Sequence, residues 1–124
     1  FIGEIGEDQK SDFLGGGTAL LFPIDWPEPF GLVMIEALAC GAPVVAFRGG
    51  SVPEVIDASG TGYIVDTLEQ AIDAVRGGSR LNRWRCRAAF ERRFSVTRMA
   101  TDYVRLYQKL AGRPSDAAFR MGAA

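Results

Sequence analysis

The segment from Pro23 to Gly31 holds the residue types best suited to chemistry in this chain. Three prolines stiffen it, and Pro29 fits the first turn of a helix, where the missing N–H is not needed. A helix that begins here presents unpaired backbone N–H groups at the positive end of its dipole. Those groups belong to Phe30, Gly31 and Leu32. They predict an anion site with phosphate as its natural ligand. A structural interpretation, in which Gly31 relieves crowding against Trp26, stays open.

Two carboxylates flank this predicted anion site. Glu28 stands just before the helix, and Glu36 lies five residues past Gly31, about 7–8 Å further along the axis. Because Glu36 interrupts an apolar run, it needs a charged partner or a polar ligand. A phosphate at the helix start with an acceptor about one and a half turns further along suits a nucleotide, since carboxylates accept from ribose hydroxyls. Glu28 would accept from a sugar hydroxyl. The alternatives are that Glu36 faces solvent or an arginine, and that Glu28 compensates the helix dipole.

A second loop, Arg48-Gly49-Gly50-Ser51, follows another apolar run. In one interpretation its two glycines only permit positive φ. In the other, this loop forms the second wall of a cleft whose first wall is the Pro23–Gly31 loop, and the Ser51 hydroxyl is a polar group of that wall. Ser51 and Glu54 have the spacing of a helix capping box, which we favour over ligand contact for Glu54.

Short apolar runs alternate with helical patterns along the chain, which predicts a Rossmann-like α/β fold. We expect a parallel sheet of about four strands with helices on both faces and further helices at the C-terminus. The strands are predicted at Phe1–Ile5, Thr18–Phe22, Pro43–Phe47 and Gly62–Val65. The helices are predicted at Asp8–Leu14, Pro29–Cys40, Ser51–Glu54, Thr67–Arg76, Ser79–Arg93 and Ser95–Leu110. Ligands of such sheets bind beyond the carboxyl ends of the strands, where both loops lie.

The composition excludes several classes of function. A chain of 124 residues with 48% hydrophobic residues suits one globular domain. The absence of histidine removes His-based triads and His metal sites, and no other metal-ligand cluster is evident. Cys40 and Cys86 indicate free or buried thiols in a reducing, cytoplasmic setting. No uncharged run is long enough to span a membrane.

The charge is divided between the two parts of the chain. Residues 1–75 carry 12 acidic and 2 basic side chains, whereas residues 76–124 carry 12 basic and 3 acidic ones. A basic region can bind nucleic acid or an anionic membrane. We favour a basic helical region that packs on, or faces, an acidic body or a partner domain, because the arginines surround a helix and no nucleic-acid motif accompanies them.

Five segments together carry a family resemblance. Glu28–Ala37 reads E-P-F-G-x4-E-A, with seven residues between its glutamates. The other four are Cys40–Ala46, Gly49–Ile56, Gly60–Val65, and Phe1–Gly3 followed by Lys10. In this order they resemble the motifs of the retaining nucleotide-sugar glycosyltransferases of family four, also called group 1. The resemblance covers residues 1 to about 110.

This resemblance implies a function and a set of roles. Residues 1–112 would form the C-terminal, donor-binding domain of a two-Rossmann-domain enzyme, incomplete at its N-terminus, and residues 113–124 a flexible tail. The enzyme would transfer a sugar from a nucleoside-diphosphate sugar to an acceptor with retained anomeric configuration, without a metal or a cofactor. Glu28 would be the catalytic residue at the sugar ring, and Glu36 would bind the ribose hydroxyls. The sugar and pyrophosphate would meet the amides of Phe30, Gly31 and Leu32.

The family pattern also places essential parts upstream of Phe1, namely the acceptor domain and the basic residues that bind the pyrophosphate. We therefore predict that this chain alone does not catalyse transfer. The helix Ser95–Leu110 would expose an apolar face and favour self-association. We expect no nucleic-acid partner, while peripheral membrane contact of the full-length protein stays open. The alternatives are an epimerase-like enzyme, a non-catalytic nucleotide-sugar-binding module, and a structural domain held by its basic tail.

Overall fold

The computed structural model describes residues 1–57, 60–78 and 81–112. Within these ranges the chain forms three strands and six helices. The strands are β1 (Leu20–Phe22), β2 (Val44–Phe47) and β3 (Gly62–Val65). The helices are α1 (Glu7–Gly16), α2 (Leu32–Ala39), α3 (Val52–Val55), α4 (Leu68–Gly78), α5 (Arg83–Arg93) and α6 (Val96–Leu110). The predicted tail at residues 113–124 lies outside the described residues.

The three strands form one parallel sheet in the order β1-β2-β3. Leu20 pairs with Val44, and Val44 pairs in turn with Gly62. The α/β class and the parallel sheet are as predicted, but the described residues contain three strands rather than about four. The strand predicted at Phe1–Ile5 is wrong, because Gly3 adopts a φ of 83° and Phe1 and Ile2 are exposed with no core to cover.

Both faces of the sheet are covered by helices, which explains why its strands are continuous apolar runs. Along β2, Val44 and Ala46 point to a core shared with α2 and with Cys86 of α5. Val45 points the other way, to a smaller cluster that includes Ala74 of α4. α2 thus lies on one face of the sheet with its N-terminus near the carboxyl ends of β1 and β2.

The arginines of α5 bind the carboxyl ends of other helices. Arg83 donates to the carbonyls of Gly17 at 2.8 Å and Gly15 at 2.6 Å, just where α1 ends. Arg87 donates to the last carbonyl of α2, that of Ala39, at 2.8 Å. Such carbonyls have no partner within their own helix and carry the negative end of its dipole. Part of the basic region therefore packs on the body of the domain, as we favoured from the sequence.

α6 follows α5 but contributes no buried residue. Its apolar side chains remain largely exposed, namely Val96, Met99, Tyr103, Val104, Leu106, Tyr107 and Leu110. Trp84, at the start of α5, is also exposed, at 82% of its surface. Among the described residues, no helix combines the length and apolarity that a membrane crossing requires.

Candidate functional site

The start of α2 depends on a glycine. Gly31 is the N-cap residue and lies in the left-handed region, with φ 71° and ψ 62°. A Cβ at this position would lie 2.4 Å from the Met34 methyl carbon and 3.5 Å from both Glu28 Cγ and Phe22 Cζ. Trp26 is not among these nearest atoms, so the interpretation that Gly31 relieves crowding against Trp26 is wrong. The tight turn brings the backbone amides of Phe30 and Gly31 close to the side chain of Glu28.

Glu28 binds those amides itself. Its Oε1 accepts from the Gly31 amide at 3.1 Å and from the Phe30 amide at 3.4 Å. The prediction that these two amides are unsatisfied is therefore wrong: a carboxylate of the same chain acts as the anion at the helix start. The dipole-compensating role that was left open for Glu28 is the one this geometry displays. The same contacts place a carboxylate oxygen against the amides that precede α2.

The second loop holds the backbone of Glu28 in place. The Ser51 amide donates to the Glu28 carbonyl at 2.9 Å. Gly50 has φ +45°, and a Cβ there would lie 2.2 Å from the Glu28 carbonyl oxygen and 2.6 Å from its nitrogen. Gly49 is less constrained, since its Cβ would meet the Trp26 carbonyl oxygen at 3.7 Å, an ordinary contact. The two loops that the sequence singled out therefore lie directly against each other at Glu28.

Ser51 does not form the predicted capping box. Its backbone is αR, with φ −76° and ψ −8°, whereas a capping hydroxyl needs an extended backbone to reach the first amides of the helix. The Glu54 amide instead donates to the Ser51 carbonyl at 2.9 Å. The Ser51 hydroxyl is buried and has no hydrogen-bond partner within the described part of the chain. A buried hydroxyl without a partner is uncommon in folded proteins.

Glu36 is half-exposed on α2 and forms an ion pair with Lys10 of α1. Lys10 Nζ lies 2.9 Å from Glu36 Oε1 and 2.6 Å from Glu7 Oε1. The hydrogen bonds that the Lys10 ammonium donates to Glu7 and, second, to Glu36 raise its pKa above the ordinary value. The sequence interpretation had allowed an arginine or solvent for Glu36, and it missed this lysine. The only sequence signal was that Lys10 belongs to the family motif formed by Phe1–Gly3 and Lys10.

The structure thus brings most of the predicted site residues to one edge of the sheet. Glu28 and the amides that it binds form the start of α2, and the loop Gly49–Ser51 covers the Glu28 backbone. Phe30 and Leu32 keep half or more of their surface exposed, at 50% and 65%. This edge therefore offers a carboxylate, backbone amides and exposed apolar surface, a combination that can bind a ligand with both anionic and hydroxyl groups.

Comparison with known proteins identifies the family. The family model described as glycosyl transferases group 1 matches residues 1–80, which include the whole site. The chain therefore belongs to the group 1 glycosyl transferases.

Individual relatives are similar over parts of the chain. The N-acetyl-alpha-D-glucosaminyl L-malate synthase of Bacillus anthracis is 38% identical over 66 residues, which cover 53% of this chain and 16% of the relative. The D-inositol 3-phosphate glycosyltransferase of Streptomyces scabiei is 38% identical over 67 residues, 54% of this chain and 15% of the relative. An uncharacterized 41.2 kDa protein in the cps region of Klebsiella pneumoniae is 34% identical over 115 residues, 87% of this chain and 32% of the relative. The chain spans a third or less of these relatives.

Proposed function

We propose that this chain supplies the donor-binding part of a retaining glycosyltransferase that uses a nucleoside-diphosphate sugar. The sugar and pyrophosphate bind at the start of α2, where the amides of Phe30, Gly31 and Leu32 receive them. Glu28 contacts the sugar ring, and Glu36 accepts hydrogen bonds from the ribose hydroxyls. The loop Gly49–Ser51 forms the opposite wall.

The observation that carries this proposal is the pair of hydrogen bonds from the Phe30 and Gly31 amides to Glu28 Oε1. They place an anionic oxygen at the helix start, where a donor phosphate or sugar oxygen would bind once the carboxylate rotates away. The donor would then exchange one acceptor for another at the same amides. Glu28, released from them, would be free to accept a hydrogen bond from a sugar hydroxyl.

The proposed reaction is a group transfer at the anomeric carbon. The bond from that carbon to the diphosphate oxygen breaks, and the oxygen of an acceptor hydroxyl bonds to the same face of the carbon. The nucleoside diphosphate leaves with the bonding electrons, and its departing oxygen takes the proton that the acceptor hydroxyl loses. The amides and the dipole of α2 stabilise the charge that develops on the leaving diphosphate.

We also propose that the acceptor is bound by a further domain of a longer protein, and that this chain alone does not turn over. The short coverage of the relatives supports this, since 66 matched residues make up 16% of the first. Detectable sugar transfer by the purified chain would contradict the proposed inactivity. Such transfer would not contradict the proposed donor site.

The test is a thermal-shift titration of the chain with UDP, GDP, ADP and their sugar conjugates. We expect the nucleotides of one base to raise the melting temperature of the chain, and Glu36→Ala to reduce that rise. Glu91→Gln is the matched control, because Glu91 also pairs with a basic residue, Arg87, but at the other end of α2. A shift that Glu36→Ala leaves unchanged would contradict the ribose role of Glu36. No shift with any nucleotide would contradict donor binding by this chain.

A further inference from the structure

Lys10 is the charged group nearest to the proposed ribose acceptor, yet the proposed function gives it no role. Its side chain is 29% exposed, and it connects α1 to α2 across 26 positions of sequence. The ion pair engages Oε1 of Glu36 at 2.9 Å. Around Glu36, the residues Ile35, Ala37 and Leu38 are buried in the core. The Glu36 side chain therefore leaves α2 at the border between the core and solvent, and Lys10 is the group that directs it.

A carboxylate that binds a diol must direct its lone pairs toward the two hydroxyl groups. Glutamate has three side-chain torsions, and an unpaired glutamate on a helix surface samples several rotamers. An ammonium that holds one carboxylate oxygen restricts this freedom and leaves the second oxygen available. A carboxylate only accepts hydrogen bonds and so matches the hydroxyl donors of a ribose.

We propose that Lys10 is a positioning residue for nucleotide recognition, which holds Glu36 Oε1 so that the second oxygen faces the ribose diol of the donor. This inference rests on the proposed function. Glu7 binds the same ammonium at 2.6 Å, but its own side chain is 89% exposed. Exposed pairs of this kind contribute little, so Glu7→Gln serves as the matched control.

The signature of this role is discrimination between a ribonucleotide and its 2′-deoxy form. If Glu36 accepts from the 2′-hydroxyl, removal of that hydroxyl should weaken binding about tenfold or more, as expected for a hydrogen bond to a charged group. The ratio of the two dissociation constants is measured within one variant. A general loss of stability therefore affects both ligands alike and leaves the ratio unchanged.

The experiment measures, by titration calorimetry on the whole chain, the ratio for the preferred nucleoside diphosphate and its 2′-deoxy form. We expect Lys10→Met to lower the ratio at least threefold, Lys10→Arg to restore most of it, and Glu7→Gln to leave it unchanged. A wild-type ratio with no preference, or no binding, would contradict the proposed function itself. A wild-type preference that persists in Lys10→Met would overturn only the role of Lys10. That includes the case in which both ligands weaken equally, because the preference for the ribonucleotide would then not depend on Lys10.

Discussion

Gly50 is the residue whose replacement tests most sharply how the second loop supports Glu28. A Cβ on Gly50 would lie 2.2 Å from the Glu28 carbonyl oxygen and 2.6 Å from the Glu28 nitrogen. Both are backbone atoms, so no side-chain rotation relieves the contact. The Gly50→Ala substitution must therefore displace one loop from the other, and it must do so at a residue with φ +45°.

Two contributions set the expected size of the effect. A non-glycine residue in the left-handed region costs about 1–2 kcal/mol. Overpacking against a well-packed site costs about 1–3 kcal/mol more. We therefore expect Gly50→Ala to lower the free energy of unfolding by about 2–5 kcal/mol. Because 1 kcal/mol corresponds to about 4 °C in a chain of this size, the melting temperature should fall by about 8–20 °C.

Gly49→Ala is the control for this measurement. It places the same methyl group one residue earlier, where the nearest atom, the Trp26 carbonyl oxygen, would be 3.7 Å away. We expect a change within about 0.5 kcal/mol, as for ordinary surface substitutions. Thermal and urea denaturation, followed by circular dichroism, measure both variants. If Gly50→Ala were as stable as Gly49→Ala, the close packing of the two loops at Glu28 would be refuted.

Three further predictions concern the rest of the chain. Arg83→Met, which removes hydrogen bonds to the Gly15 and Gly17 carbonyls, should lower the free energy of unfolding by about 2–3 kcal/mol. Arg76→Met is the control: it breaks an exposed pair with Asp73 and should change the free energy of unfolding by less than about 0.5 kcal/mol. Equal urea midpoints for Arg83→Met and Arg76→Met would contradict the capping role of Arg83. Burial raises the pKa of the Cys86 thiol, so the folded state resists its ionisation. The free energy of unfolding should thus decline as pH rises above the pKa of the thiol in the unfolded chain, about 8.5. Between about pH 8 and 10, the urea concentration at the unfolding midpoint should fall more steeply in wild type than in Cys86→Ala. We also propose that the exposed apolar side of α6 drives self-association, so light scattering at rising protein concentration should detect dimers. The double substitution Tyr107→Ser and Leu110→Ser should abolish these dimers, whereas the control Lys109→Ser should not. A monomer at all concentrations would contradict this proposal.

The sheet and its helices could largely be predicted from the sequence, because local patterns determine them. β3 was predicted with its observed bounds, Gly62–Val65, and β2 lacked only the first residue of its predicted run. Buried parallel strands are continuous apolar runs, and that signal is strong in a short chain. The predicted strand at Phe1–Ile5 failed because its apolar residues have no core to cover.

The contacts at the site were harder to predict, since they join residues far apart in sequence or depend on backbone detail. The ion pair of Lys10 with Glu36 requires α1 and α2 to be packed side by side, which no local pattern specifies. The capping box at Ser51 failed on a backbone angle that its spacing does not reveal. The sequence places Glu28 just before the helix, but its direct contact with the amides corresponds to the dipole-compensating alternative.

The central claim is that a nucleotide sugar binds at the start of α2. The most direct test is a ¹⁵N–¹H correlation spectrum of the labelled chain, titrated with the nucleoside-diphosphate sugar that stabilises it most. We predict the largest shifts at the amides of Phe30, Gly31 and Leu32, because the ligand takes the place of Glu28 Oε1 on the first two. If these amides kept their positions while the signals of α5 or α6 moved, the proposed donor site would be contradicted.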